Sequence, residues 1–161
     1  MAAKTNETDD GAEPSLGRLG SFLGFRLRRV QNQFSRDFQL KTKAWGLRAG
    51  MFSALELIAA NPGISQAVLS AEVGLDKSAL VPIIDELEAR GWVRRTRSTS
   101  DRRRNHLAIT PAGEHELDLL FDELAVTEAT GQEALSGEER ALVSRALDKV
   151  YHAYVRHARG A

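Results

Sequence analysis

The chain has 161 residues, and its 22 Lys and Arg balance its 22 Asp and Glu. That length suits one domain with a hydrophobic core, or a small module with helical extensions. No apolar run approaches the roughly 18 residues that a membrane span requires, and the absence of cysteine excludes disulfides, thiolate metal sites and redox thiols. We therefore expect a cytoplasmic protein without a membrane partner.

The N-terminal part of the chain is predicted to form a tail and two helices. Residues 1–15 lack the apolar stretch of a secretion signal, so we expect a disordered tail. From Leu16 to Phe38 apolar residues recur every three or four positions, which indicates a long amphipathic helix followed by a connector to residue 45. A second helix is predicted from about Leu47 to Ala60, before the turn residues Asn61-Pro62-Gly63.

Two further helices follow, with a tight turn between them. Ser65 can cap a short helix over Gln66 to Val73, and Gly74 ends it. Asp76 can cap the next helix, KSALVPIIDELEAR, which Gly91 terminates. The spacing is that of two helices joined by a turn.

The remaining elements are two strands and two long helices. Trp92 to Arg97 and His106 to Thr110 have the composition of short strands on either side of an arginine-rich loop. Pro111 starts a long helix, and Ser136 to Glu139 form a capping box. The box opens a last helix with one apolar stripe of Val143, Leu147, Val150 and Tyr154.

The expected fold class is mainly α with a small β-hairpin wing. Residues 46–112 would form a winged helix-turn-helix lobe, and residues 16–45 and 113–161 would supply dimerisation helices. The apolar stripes of the terminal helices are too long for a small lobe to cover. We therefore expect an obligate homodimer built from both termini.

Charge is segregated along the chain although its sum is zero. The stretch from Arg18 to Arg48 contains eight Lys or Arg and one acidic residue, Asp37. The stretch from Arg90 to His106 contains seven Arg and one acidic residue, Asp101. Residues 114–139 contain nine acidic side chains and no Lys or Arg. Such segregation gives a molecule an electrostatic face, and it favours a polyanion partner weakly by itself.

The order of elements strengthens the prediction of DNA binding. In a helix-turn-helix the second helix lies in the major groove, with its N-terminal residues near base edges. A hairpin that follows it can act as a wing, and arginines at its tip suit the narrow, electronegative minor groove. The alternative is an ordinary hairpin with a solvated charged loop.

The stretch from Trp45 to Glu114 resembles the MarR family of winged helix-turn-helix regulators. The closest part is Asp101-Arg102-Arg103, the D-x-R of the family wing, followed by LAITPAG from Leu107 to Gly113. The resemblance implies a homodimer on a pseudo-palindromic double-stranded DNA operator, and a small-molecule effector that releases the DNA. A ligand-responsive repressor is thus expected.

The resemblance assigns roles to individual residues. Base and phosphate contacts are expected from the exposed first turn of the recognition helix, and further DNA contacts from arginines of the strand and the wing. Arg103 would enter the minor groove, and Asp101 would orient an arginine within the wing. The predicted DNA-binding residues are Lys77, Ser78, Ala79, Arg95, Arg97, Arg102, Arg103 and Arg104.

The recognition helix departs from the family at Val81-Pro82, where most relatives carry a polar or basic residue. A proline inside a helix removes one backbone donor, and its ring crowds the carbonyl of Ser78. We expect a bend or a loosened first turn without a break, because the apolar periodicity continues to Leu87. Fewer polar groups remain for direct readout, and contact with thymine methyls is an alternative to simple exposed packing.

The resemblance also implies an effector pocket between the dimer helices and the lobe. Aromatic side chains beside arginines would suit a small anionic aromatic effector, an aromatic acid or its coenzyme A thioester. The alternative is that the aromatic residues are core and that the arginines are solvated or paired. The candidate residues are Phe22, Arg26, Arg29, Trp45, Arg48, Met51 and Phe52.

The sequence leaves two rival classes of function. An enzyme is disfavoured, because the sequence has no Gly-rich phosphate loop, nucleophile elbow or HExxH motif, and no catalytic residue, cofactor or metal ligand is predicted. His106 and His115 with Glu116 and Asp118 would make at best a weak metal cluster. The second rival is a winged-helix module that binds DNA non-specifically or binds protein, without an effector.

Overall fold

The computed structural model describes residues 13–97 and 105–160. The elements in chain order are α1 (Leu23–Thr42), α2 (Met51–Ala60), β1 (Ile64–Ser65), α3 (Gln66–Val73), α4 (Lys77–Ala89), β2 (Val93–Arg97), β3 (Asn105–Ile109), α5 (Pro111–Glu133) and α6 (Gly137–Gly160). The expected fold class, mainly α with a small β wing, is confirmed. In the two described ranges, no helix is both long and apolar enough to cross a membrane.

The first helix begins later and ends later than predicted. Gly17–Ser21 form a 3-10 turn, Phe22 is extended with φ −87° and ψ 111°, and α1 starts only at Leu23. The glycines in this stretch lower the propensity for a regular helix. At its other end α1 reaches Thr42, whose hydroxyl donates to the Phe38 carbonyl at 2.8 Å.

The second helix begins at Met51 and not at Leu47, because Gly50 precedes it in a left-handed conformation with φ 85°. A side chain at this position would be strained, and it would also collide with the lobe. A Cβ on Gly50 would lie 2.9 Å from Cδ1 of Leu75 and 3.4 Å from Cδ1 of Ile83. The connector before α2 therefore packs directly against the helix-turn-helix.

The predicted helix-turn-helix is confirmed at both caps. The Ser65 hydroxyl accepts a backbone N–H of the first turn of α3 at 3.3 Å, and Gly74 ends that helix with φ 74°. Asp76 caps α4, which runs unbroken through Pro82 to its C-cap at Arg90. The prediction that the proline does not break the helix is therefore confirmed.

The sheet contains one strand that the sequence analysis missed. Its order is β1-β3-β2, and β1 pairs antiparallel with β3 through Ile64 opposite Leu107 and Ser65 opposite His106. A two-residue strand shows no alternation, so only its partner defines it. Thr110, predicted as the end of a strand, instead caps α5 by accepting the Gly113 N–H at 3.1 Å.

The core lies between α2, α3, α4, the sheet and the first half of α5. Its fully buried side chains include Met51, Leu55, Ile58, Leu69, Leu80, Ile84, Leu87, Leu107 and Leu120. The capping box of α6 is confirmed, since the Ser136 N–H donates to Glu139 at 2.8 Å and the Glu139 N–H donates to the Ser136 hydroxyl at 3.3 Å. The apolar residues of α6 nevertheless stay largely exposed, among them Leu142, Val143, Leu147 and Tyr154.

Candidate nucleic-acid interface and neighbouring cavity

The recognition helix α4 has one buried face and one exposed face. Leu80, Ile83, Ile84 and Leu87 point into the core, a spacing of three or four residues that packs one side of the helix. The opposite face presents the three predicted base and phosphate contacts together with an apolar pair and one acid, namely Lys77, Ser78, Ala79, Val81, Pro82 and Asp85. The structure thus brings the predicted contacts of this helix onto one accessible surface.

Asp76 holds the N-terminus of this surface. Its carboxylate accepts the Ser78 hydroxyl at 2.6 Å and the Ala79 N–H at 2.8 Å. The side-chain hydrogen bond from Ser78, followed by the backbone bond from Ala79, keeps the pKa of Asp76 below its ordinary value. The prediction that Asp76 is an N-cap is confirmed, and the Ser78 hydroxyl proton is already in use.

Arg95 lies on β2 with its guanidinium against α4. It forms ion pairs with Asp85 and Glu88, and its backbone N–H donates to Glu88 at 3.1 Å. Burial by itself would lower the pKa of Arg95, but hydrogen bonds with the two carboxylates outweigh it, so that the pKa is raised. The predicted DNA contact by Arg95 is untested, whereas its contact with the recognition helix is present in the structure.

Of the other basic residues of the wing, the structure describes some and not others. Arg94 is exposed on the opposite side of β2 from Arg95, as the alternation of a strand predicts. The side chain of Arg97 and the whole of Asp101, Arg102, Arg103 and Arg104 lie outside the described residues. Their predicted roles on DNA therefore stay predictions.

A second ionic network ties the connector before α2 to the recognition helix. One guanidinium nitrogen of Arg48 donates to the Pro82 carbonyl at 2.9 Å and lies 2.5 Å from Glu86. Arg90 pairs with the same carboxylate at 2.6 Å and donates to the carbonyl of Trp45 at 3.0 Å. The hydrogen bond from Arg90, with help from Arg48, lowers the pKa of Glu86, so the network is charged at neutral pH.

A cavity of about 660 Å³ opens between α1, α2 and α5. Its volume lies in the usual range for a small-molecule site. Phe38, Phe52 and Phe121 form an aromatic wall, with ring centroids 5.9 Å apart for the first pair and 4.9 Å apart for the second. The polar side chains of its lining are Gln31, Ser35, Gln39, Thr42, Ser53, Thr127, Glu128 and Gln132.

The predicted effector residues mostly lie elsewhere. Of the seven candidates, all within the described ranges, only Phe52 lines the cavity. Phe22, Arg26 and Arg29 are exposed on the N-terminal segment, where Arg26 donates to the Gly20 carbonyl at 2.6 Å. The other three belong to the connector and the core, namely Trp45, Arg48 and Met51.

A polar stripe on α1 that was not predicted faces the cavity. Gln31, Ser35 and Gln39 recur at intervals of four residues on α1, and Thr42 continues the stripe at the helix end. Helical neighbours of this spacing lie on one face. In the sequence this stripe appears as a row of polar residues at helical spacing between apolar positions. A solvated helix face shows the same pattern, so the sequence does not distinguish the two.

The weak histidine cluster is not assembled into a metal site. In residues 13–97 and 105–160, no group of three or more His, Asp or Glu side chains is close enough to hold a metal ion. His106 instead places Nδ1 2.5 Å from the Gly63 carbonyl and helps to join β3 to the turn before β1.

Comparison with known proteins agrees with this geometry. Residues 47–104 match the model of the MarR family. A transcriptional regulatory protein assigned to the hcr operon of Thauera aromatica is 34% identical over 143 residues, which cover 88% of this chain and 86% of the relative.

Solved structures show both the fold and two kinds of complex. The transcriptional repressor CouR bound to a 23-mer DNA duplex aligns with a TM-score of 0.76 at 32% identity, covering 87% of this chain and 99% of CouR. CouR from Rhodococcus jostii RHA1 bound to p-coumaroyl-CoA aligns with a TM-score of 0.70 at 30% identity, covering 82% and 91% of the two chains. The curated relatives are transcriptional regulators and not enzymes. The chain belongs to the MarR family of winged-helix transcriptional regulators.

Proposed function

We propose that the protein is a cytoplasmic, sequence-specific repressor that an aromatic acyl thioester releases from its operator. The observation that carries this proposal is that one wall of the cavity is fastened to the recognition helix. Gly50 lines the cavity and packs against Ile83 of α4. Arg48, two residues earlier, holds the Pro82 carbonyl and Glu86 of the same helix.

This arrangement gives a ligand a direct way to affect DNA binding. A molecule in the cavity presses on Leu47, Ala49 and Gly50 of the connector, and any shift of the connector moves the anchor of α4. A ligand changes operator affinity only if it binds the two arrangements with different affinity. The cavity and the recognition helix are close enough for such a difference to be transmitted by side-chain contacts.

The lining of the cavity favours a neutral acyl group over a free acid. Among its described lining residues there is no Lys or Arg, and one side chain, Glu128, carries a negative charge. A free carboxylate would lose hydration here and would meet a like charge. A thioester carries no charge at its carbonyl and suits the aromatic wall and the neutral hydrogen-bonding groups. CouR, which is similar to this chain, binds p-coumaroyl-CoA.

The terminal helices support a homodimer. Leu23 and Val30 on α1 are 53% and 52% exposed, and Leu142 and Tyr154 on α6 are 60% and 74% exposed. Exposed apolar side chains that recur along two helices favour an interface with another chain. A second copy that covers these helices would also supply the two-fold symmetry of a pseudo-palindromic operator.

The proposal is tested on an operator selected from random duplex DNA by the full-length protein. Operator affinity and melting temperature are then measured with p-coumaroyl-CoA, with free p-coumarate and with coenzyme A. We expect the thioester to weaken operator binding about 5- to 150-fold, the usual range of allosteric coupling. Free p-coumarate should have much less effect. If none of the three changes either quantity, the proposed effector class is wrong.

A cavity-filling variant separates ligand binding from DNA binding. Ser35 lines the cavity from α1, so Ser35→Phe should occupy the space of the ligand while Ser35→Ala leaves it open. The filled variant should bind the operator and ignore the thioester, and the alanine variant should respond as the wild type does. Equal affinity of the wild type for operator and random DNA would instead support a non-specific winged-helix module.

A further inference from the structure

The exposed face of the recognition helix carries two apolar residues next to each other. Val81 is 41% exposed, and Pro82 is exposed as well, while the neighbouring Leu80, Ile83 and Ile84 are buried. The two side chains therefore point away from the core of their own lobe. Their apolar surface can be buried only against something outside it.

The polar groups of this face have little capacity left for reading bases. Specific hydrogen bonding in the major groove is carried mostly by Arg, Lys, Asn and Gln, which can bond base edges in pairs. Lys77 is the one such residue on the exposed face of α4. The Ser78 hydroxyl donates to Asp76 at 2.6 Å, and Asp85 is paired with Arg95.

Arg95 also affects what this face can approach. Asp85 and Glu88 would repel phosphates if they were unpaired, because both lie on the helix that enters the groove. Arg95 pairs with both carboxylates and is itself only 23% exposed. The pairing offsets one of the two negative charges next to the apolar pair, which reduces the repulsion that Val81 and Pro82 would meet on approaching a base pair.

We propose that Val81 and Pro82 determine specificity by packing against the C5-methyl group of thymine in each operator half-site. Thymine is distinguished in the major groove by this methyl group, and apolar contact is how proteins recognise it. Pro82 suits the role, since it has no backbone donor and offers a rigid apolar ring. The inference rests on the proposed operator binding by α4, and it names what that helix reads.

The test compares thymine with deoxyuridine, which differs by that methyl group alone. In the selected operator, each thymine of the footprint is replaced in turn by deoxyuridine, symmetrically in both half-sites. Burial of one such group is worth about 0.8 kcal/mol, so one position should lose affinity about 4-fold per half-site and about 15-fold in the dimer. Replacement elsewhere in the footprint should have little effect.

Variants of the apolar pair show whether these two residues sense the methyl group. Val81→Ala and Pro82→Ala should bind the thymine operator more weakly and should lose most of the penalty for deoxyuridine. Pro82→Ala restores a backbone donor in the helix, so its melting temperature should not fall. Lys77→Ala is the matched control on the same face. It should weaken both duplexes equally and keep the deoxyuridine penalty.

The outcomes separate this inference from the proposed function. If the wild type binds a selected operator but tolerates deoxyuridine at every position, the methyl contact does not exist. A penalty that persists unchanged in both Val81→Ala and Pro82→Ala would assign the methyl contact to other residues and overturn the inference. Failure to select any sequence over random DNA would contradict the proposed function itself.

Discussion

The lobe and the terminal helices carry apolar stripes of the same kind, but the two regions differ in how far this chain buries them. In the lobe, Met51, Ile58 and Ile84 are fully buried by elements of the same chain. On the apolar stripe of α6, Val143 and Leu147 remain 43% and 42% exposed. Periodicity therefore predicts which residues need to be buried, but not by what: elements of the same chain bury them in the lobe, and in the proposed homodimer a second copy would bury them on α6.

The largest expected effect is loss of a core side chain of the lobe. Leu55 is 1% exposed, and truncation of such a residue leaves a cavity that costs about 2–5 kcal/mol. Leu55→Ala should lower the free energy of unfolding by that amount, measured by urea denaturation. Because residues of the same chain bury Leu55, the decrease in the free energy of unfolding should be the same at every protein concentration.

Substitution on α6 should give a concentration-dependent loss instead. Burying an apolar side chain of this size stabilises by about 1.5–3 kcal/mol, and in the proposed homodimer this contribution would depend on association. Val143→Ser with Leu147→Ser, two changes on the same apolar stripe, should shift the protein from dimer to monomer in sedimentation. A well-folded wild-type monomer at micromolar concentration would contradict the proposed role of α6.

The wing is a part of the lobe whose partner would be DNA. Arg103→Ala should reduce operator binding by about 1–3 kcal/mol per wing and should reduce the preference over random DNA. Arg102→Ala and Arg104→Ala should weaken all sequences alike, with the logarithmic salt slope falling by about one per lost phosphate contact. Asp101→Ala should partly copy the loss at Arg103. Equal losses at the three arginines would show a solvated basic loop.

The smallest expected effects compare the helix caps of the two regions. The pKa of Asp76 is lowered by the Ser78 hydroxyl and the Ala79 N–H, and the pKa of Glu139 is lowered by the backbone and the side chain of Ser136. A carboxyl with a depressed folded pKa stabilises above its unfolded pKa of about 4, and the contribution is lost as pH falls through the folded value.

Urea denaturation at pH 7 and pH 3 checks this sign. The destabilisation by Asp76→Ala should be present at pH 7 and smaller at pH 3, whereas Asp76→Asn, which keeps a cap without a charge, should depend less on pH. Glu139→Gln should act through α6, so its effect should vary with protein concentration. A loss for Asp76→Ala that grows as pH falls would contradict the assigned role of the carboxylate.

The local elements could be predicted from sequence, because the interactions that begin and end a helix lie within a few residues. Ser65, Asp76 and Ser136 begin helices through bonds to the next turn, and Gly74 ends one in a left-handed conformation. The late start of α2 was not predicted, because the glycine at position 50 is required by its left-handed backbone and by the close approach of Leu75, with Ile83 beside it, from distant parts of the chain. Short-range rules identify a cap but not a collision between distant segments.

The partners of charged and polar residues depend on contacts between segments that are distant along the chain. From the sequence, Arg48 and Arg95 are both simply cations. In the structure Arg48 fastens the connector to Pro82, whereas Arg95 pairs with Asp85 on the recognition helix. The strand β1 exists only because β3 lies beside it. The cavity, likewise, is defined by three helices separated along the chain. Such features depend on which surfaces pack together in the fold, and no local sequence pattern specifies that packing.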